Sequence, residues 1–154
     1  MDSAIDRLQS LTVSDVMAKS VVWVSTGQHM VDVARLLLKH EISSAPVVDE
    51  KGICVGIVSA TDFLKRDAAA KDNGSPPHRA RPAWTPEDTA GTFMSGAVQS
   101  VHANAPVLTA AKIMCAQHVH RLPVVDKHGK AVGIVSTMDV VAALLNAVAE
   151  MQQA

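Results

Sequence analysis

The chain repeats itself. Pro46-Val47-Val48-Asp49-Glu50-Lys51-Gly52-Ile53-Cys54-Val55-Gly56-Ile57-Val58-Ser59 returns, 77 positions later and without a gap, as Pro123-Val124-Val125-Asp126-Lys127-His128-Gly129-Lys130-Ala131-Val132-Gly133-Ile134-Val135-Ser136. The same offset aligns residues 14–67 with 91–144, and the identities concentrate between Pro46 and Asp62. A duplication at fixed spacing means that one supersecondary unit is used twice. A unit of ~50 residues cannot bury its own apolar face, so the two copies are expected to pack together.

Each copy carries the same local signals. Val21-Val22-Trp23-Val24 is a β-branched run that fits a short strand. Met30, Val33, Ala34, Leu37 and Leu38 then recur at helical spacing, as do Val107, Ala110, Ala111, Met114 and Cys115 in the second copy. Asn104 suits an N-cap there and Pro106 a first turn. Strands are expected over 46–49 and 53–58, and over 123–126 and 130–135. Asp49 with Gly52, and Asp126 with Gly129, mark the hairpin turns. A further helix opens near Asp62 and near Asp139.

The fold class that follows is α/β, an α+β two-layer arrangement of two β-α-β-β-α repeats. A leading helix within 1–13 carries Ile5, Leu8 and Leu11 on one side. The first repeat spans 14–67 and the second, with the C-terminal helix, 91–154. Between them, 68–90 reads as a Pro/Gly-rich linker, since Asn73-Gly74-Ser75-Pro76-Pro77 breaks any regular element. Within it Arg79 and Arg81 are expected in solvent and Trp84 as an anchor.

Composition narrows the function classes. The chain has 154 residues and a formal net charge of −1, so no basic face is available to displace counterions from nucleic acid. With two Trp, two Phe and no Tyr, the core must be aliphatic. Cys54 and Cys115 lie in apolar segments without metal-type spacing and read as reduced core residues of a cytoplasmic protein. The first residues lack a hydrophobic signal region, and no run approaches ~18 apolar residues, so no membrane span is expected.

The duplicated unit, with its third strand running into Gly-Ile-Val-Ser-x-x-Asp, resembles the cystathionine-β-synthase (CBS) domain family. The Pro-Val-Val-Asp hairpin opening and the Met of Asp15-Val16-Met17 and Thr92-Phe93-Met94 fit the same pattern. The resemblance implies a Bateman module: two repeats about a pseudo-twofold axis, two clefts between them, and pairing of modules into a homodimer. In many members those clefts bind adenosine-containing ligands.

Site residues follow from the resemblance and from side-chain chemistry together. In Gly56-Ile57-Val58-Ser59-Ala60-Thr61-Asp62, a strand ends in hydroxyls and opens a helix, whose first N–H groups suit a phosphate. Ser59 and Thr61 add donors, and Asp62 offers acceptors for a ribose diol. The competing reading is that these residues cap the helix. In one member, the regulatory γ subunit of the AMP-activated protein kinase, a His-Arg pair just before the hairpin holds phosphate, and the matching pair here is His120 and Arg121; arginine's planar fork suits that contact. The resemblance groups Ser59, Thr61, Asp62, His120 and Arg121 in one cleft, with Ala45 and Pro46 as adenine walls. Ser136, Asp139, Ser43, Ser44 and Leu122 form a second, weaker set, since Met138 replaces the hydroxyl of Thr61.

No catalytic residue is expected, because no nucleophile is paired with a base. No cofactor or metal is expected either; His118 and His120 share one face of an extended segment but lack further ligands. The reading is a stand-alone regulatory module for an AMP-, ADP- or ATP-type ligand that acts on a separate regulated protein. The alternative is a structural dimerisation or partner-binding module with vestigial clefts. The apolar run Val140, Val141, Leu144, Leu145 and Val148 on the last helix points to the homodimer.

Overall fold

The computed structural model describes residues 3–19, 22–65, 85–96 and 99–153. Expectations for Val21, for residues 68–84 of the linker and for Arg79, Arg81 and Trp84 lie outside the described residues.

The elements run α1 (Ala4–Ser10), α2 (Val13–Val16), β1 (Val24–Ser25), α3 (Met30–Lys39), β2 (Ser44–Val48) and β3 (Cys54–Ser59). A helix, α4, continues over 60–65. Then come α5 (Ala90–Phe93), β4 (Val101–His102), α6 (Val107–Gln117), β5 (Arg121–Val125), β6 (Ala131–Ser136) and α7 (Thr137–Gln152). The repeated β-α-β-β-α order is present in both copies. No helix among the described residues is long and apolar enough to cross a membrane.

The chain forms two compact units whose boundaries differ from those of the sequence repeats. The internal unit is Val22–Ala97; the terminal unit joins Met1–Val21 to Val98–Ala154. Each copy's short leading helix therefore belongs to the unit built by the other copy's strands. In the terminal unit, Val13 and Ser14 N–H groups donate to the Ala105 and Ala103 carbonyls, and Ala18 and Ile134 exchange backbone bonds. In the internal unit the Ala90 and Gly91 N–H groups donate to the Gln28 and Thr26 carbonyls, and Ser95 pairs with Ile57 in the same way. Every partner in the second set sits 77 residues from its counterpart in the first.

Each unit holds a three-stranded sheet, ordered β1-β2-β3 and β4-β5-β6. The first pair in each is parallel and the second antiparallel. Proline in a middle strand normally costs a ladder bond. Here Pro46 faces Ile57 across the hairpin, and Ile57 sends its own N–H and C=O outward to Ser95. That makes Pro46–Ile57 a non-hydrogen-bonded pair, so the missing N–H points away from β3. β1 pairs only with Val47 and Val48 and stops short of it. Pro123, opposite Ile134, is accommodated in the same way.

The cores are aliphatic. Val24, Met30, Val33, Leu37, Ala45, Val47, Val58 and Ala90 fill the internal unit. Val13, Val101, Ala110, Met114, Leu122, Val124 and Val135 fill the terminal one. Fully burying such a side chain contributes roughly 1.5–3 kcal/mol. Of the expected helix faces, Met30, Val33 and Leu37 are buried but Leu38 is 78% exposed. Val107, Ala110 and Met114 are buried, whereas Cys115 lies exposed rather than in the core.

Several boundaries shift. Trp23 falls outside β1, the first strand of each hairpin begins two residues earlier than expected and the second one residue later, and Asp49 and Asp126 belong to the turns. Asn104 does not cap α6; Pro106 occupies the cap position. His118 is not extended but left-handed, at φ 55°, where it ends α6. Glu41, its equivalent after α3, has φ 54°.

Candidate functional site

In both units the β-hairpin ends where a helix begins, and the expected site residues collect at that end. β2 pairs with β3 so that Ser44 faces Ser59, and the Ala60 N–H donates to the Ser43 carbonyl. β5 pairs with β6 so that Arg121 faces Ser136, and the Thr137 N–H donates to the His120 carbonyl. Ser43, Ser44, Ser59, Thr61 and Asp62 thus share one end of the internal unit. His120, Arg121, Ser136 and Asp139 share the matching end of the terminal unit. The sequence-based grouping of Asp62 with His120 and Arg121 draws members from both units.

The carboxylates cap their helices. Asp62 Oδ2 accepts from the Ser59 N–H at 2.7 Å and from Ser59 Oγ at 3.3 Å. Ser59 Oγ also lies 2.6 Å from Thr61 Oγ1. Asp139 Oδ2 accepts from the Ser136 N–H at 2.8 Å, and Ser136 Oγ accepts in return from the Asp139 N–H at 3.1 Å, a capping box. The same residues satisfy backbone donors that the helix leaves unpaired. Capping engages one carboxylate oxygen of each Asp, and a carboxylate has a second acceptor oxygen.

The two ends differ in character. Among the expected site residues at the internal unit's end, Asp62 alone is ionisable, and it is only 5% exposed. Ser44 is 9% exposed, and its Oγ is a buried hydroxyl with no hydrogen-bond partner among the described residues. Such a group costs free energy until something bonds it. The terminal unit's end instead presents His120 and Arg121 as exposed side chains, with Met138 70% exposed in place of Thr61. The 16-residue α7 adds the partial positive charge of its N-terminus there. The expected adenine walls lie deeper: Ala45 and Leu122 belong to the apolar cores, and Pro46 is fully buried.

Among the described residues no three His, Cys, Asp or Glu side chains come close enough to hold a metal ion. Sequence reasoning missed two features. One is the exchange of leading helices, signalled by the pairing of a repeated Met with a repeated Gly. The other is a cavity at the turn end of the terminal unit's sheet, signalled by histidines that the first copy lacks.

Comparison with known proteins is consistent with this architecture. The CBS domain family matches residues 13–69 and again 90–146. The chain is 29% identical, over 133 residues, to an uncharacterized protein of Methanopyrus kandleri, covering 86% of this chain. It spans 62% of that relative's length, and as little as 22% of another curated relative. A solved CBS domain pair in complex with 5′-methylthioadenosine and S-adenosyl-L-methionine superposes with a TM-score of 0.71 at 26% identity, covering 88% of this chain and 97% of that one. CBSX2 in complex with AMP superposes with a TM-score of 0.72 at 27% identity, covering 89% and 98%. With two matches in tandem, strands and helices in the repeated order, and whole CBS pairs as structural neighbours, this chain belongs to the CBS domain family.

Proposed function

We propose that the chain is a regulatory module that binds an adenosine-containing ligand of the AMP, ADP or ATP type and acts on a separate protein. One observation carries the reading: structural neighbours that cover nearly all of their own length with this fold are bound to AMP or to S-adenosyl-L-methionine and 5′-methylthioadenosine. The side chains support it. On the internal unit Asp62 offers an acceptor suited to ribose hydroxyls and Ser59 and Thr61 offer donors; on the terminal unit His120 and Arg121 offer donors suited to phosphate. Ser136, Asp139, Ser43 and Ser44 make the weaker set. Ala45, Pro46 and Leu122 reach a ligand through their backbone, since their side chains are buried.

Thermal unfolding in the presence of AMP, ADP, ATP, S-adenosylmethionine and 5′-methylthioadenosine tests the reading. A ligand at 100 times its dissociation constant stabilises by ~2.7 kcal/mol. No shift with any of the five would leave the structural-module reading. Assembly is a separate part of the proposal. Val141, Leu144, Leu145, Val148 and Met151 are all exposed on α7, more apolar surface than one helix normally leaves open. Light scattering should return twice the chain mass of 16.2 kDa; a monomer at micromolar concentration would rule the homodimer out.

A further inference from the structure

We propose that the terminal unit carries a second site, for a small phosphate-bearing anion, at the turn end of its sheet. A cavity of about 650 Å³ opens there, lined by His102 at the end of β4, by Asn104 after it, and by Asp126, Lys127 and His128 in the β5–β6 turn. That volume lies within the range of small-molecule sites. The cavity is at the far end of the hairpin from Arg121 and Ser136, about 13 Å along β5 at ~3.3 Å per residue.

The duplication supplies an internal control. Asp49 Oδ1 accepts from the Lys51 and Ile53 N–H groups, and Asp126 Oδ1 accepts from the His128 and Lys130 N–H groups. Gly52 and Gly129 have φ 80° and 79°. The Thr26 N–H donates to the Val48 carbonyl as the Ala103 N–H donates to Val125. The backbone frame is therefore the same in both units. On it the internal unit carries Ser25, Gly27, Glu50 and Lys51, whereas the terminal unit carries His102, Asn104, Lys127 and His128.

The turn folds without these four side chains, since its duplicate does. What they add is chemistry: two imidazoles, a carboxamide, and an ammonium where the other copy has a carboxylate. All four can donate hydrogen bonds. Asp126, the one carboxylate on the wall, commits Oδ1 to its own turn. A donor-rich wall of this kind fits phosphate oxygens, whose bonds to a charged donor are roughly twice as strong as neutral ones. A metal centre is a poorer fit, because among the described residues no three His, Cys, Asp or Glu side chains, those of this wall included, come close enough to hold an ion.

Pyrophosphate is the probe, titrated by calorimetry and by amide chemical shifts. The parent should bind it saturably, with shifts at 102–104 and 126–130. A variant carrying His102→Ser, Asn104→Gly, Lys127→Glu and His128→Lys takes the internal unit's residues at exposed positions and should keep its fold. Its affinity should fall at least tenfold, and Lys127→Glu alone should weaken binding about fivefold. The inference is overturned if the parent shows no saturable binding, if both variants bind as the parent does, or if the shifts appear at 120–121 and 136–139 instead.

Discussion

Met17 and Gly133 touch: a Cβ added to Gly133 would stand 2.6 Å from Met17 Sδ and 2.9 Å from the Ala18 carbonyl oxygen. The other unit repeats the contact: a Cβ added to Gly56 would stand 2.7 Å from Met94 Sδ and 2.8 Å from the Ser95 carbonyl oxygen. Only glycine admits so close an approach. This contact seats each copy's leading helix on the strands of the other copy.

Gly133→Ala and Gly56→Ala should each destabilise the protein by about 1–3 kcal/mol, the usual cost of overpacking. The methionine can swing away, but Ala18 and Ser95 are held by backbone bonds in both directions with Ile134 and Ile57. Gly27→Ala is the control, since nothing lies within 4 Å of its Cβ position. Denaturant midpoints compare the three. Equal midpoints for Gly133→Ala and Gly27→Ala would contradict the contact.

Much of this fold was legible because the signals are local and doubled. Hairpin turns need Asp at one place and Gly at another, and both copies supply them, as Asp49 with Gly52 and Asp126 with Gly129. The helix faces were readable from spacing, except at their margins, where Leu38 and Cys115 are exposed. The exchange of α2 and α5 was not legible. The apolar character of Val13 and Ala90 suits burial but does not say which strands bury them, and that choice rests on long-range backbone bonds. At the site, hydroxyl and Asp identities were readable, but whether Ser59 and Asp62 serve a ligand or the helix is a matter of bond geometry. Here they serve the helix, and the ligand reading rests on their remaining valences and on Arg121.

The two thiols should separate by reactivity. Cys115 is exposed, whereas Cys54 is half-buried and its thiol is pushed above its ordinary value, burial outweighing the influence of the Gly56 backbone. Thiolate is the reactive form. A colorimetric thiol reagent near pH 8 should therefore modify one group quickly and the second more slowly. Two equally fast groups would show that Cys54 is more open than described.

Acid should weaken the Thr12–Asp15 capping box. Asp15 Oδ2 accepts from the Thr12 N–H at 2.8 Å and from Thr12 Oγ1 at 3.0 Å. These bonds, the backbone one foremost, hold its carboxyl below the ordinary carboxylate value. A carboxyl depressed on folding contributes stability that is present above its unfolded value, about 4, and lost as pH falls through the lower folded value. Asp15→Asn should therefore be less stable than the parent at pH 7, and the gap should close below about pH 4. Denaturant midpoints at pH 7 and 2.5 measure it, and a gap that stays constant with pH would contradict the assignment.

Calorimetric titration of AMP and adenosine into the parent and into Arg121→Ala tests the central reading most directly. A contact from a charged donor contributes ~1.5–3 kcal/mol, and ~1.4 kcal/mol is tenfold in affinity. The parent should bind AMP, and Arg121→Ala should lose tenfold or more for AMP while adenosine binding stays within about twofold. A parent that takes up neither AMP nor adenosine at millimolar concentration, or an Arg121→Ala variant that binds AMP as the parent does, would contradict the account.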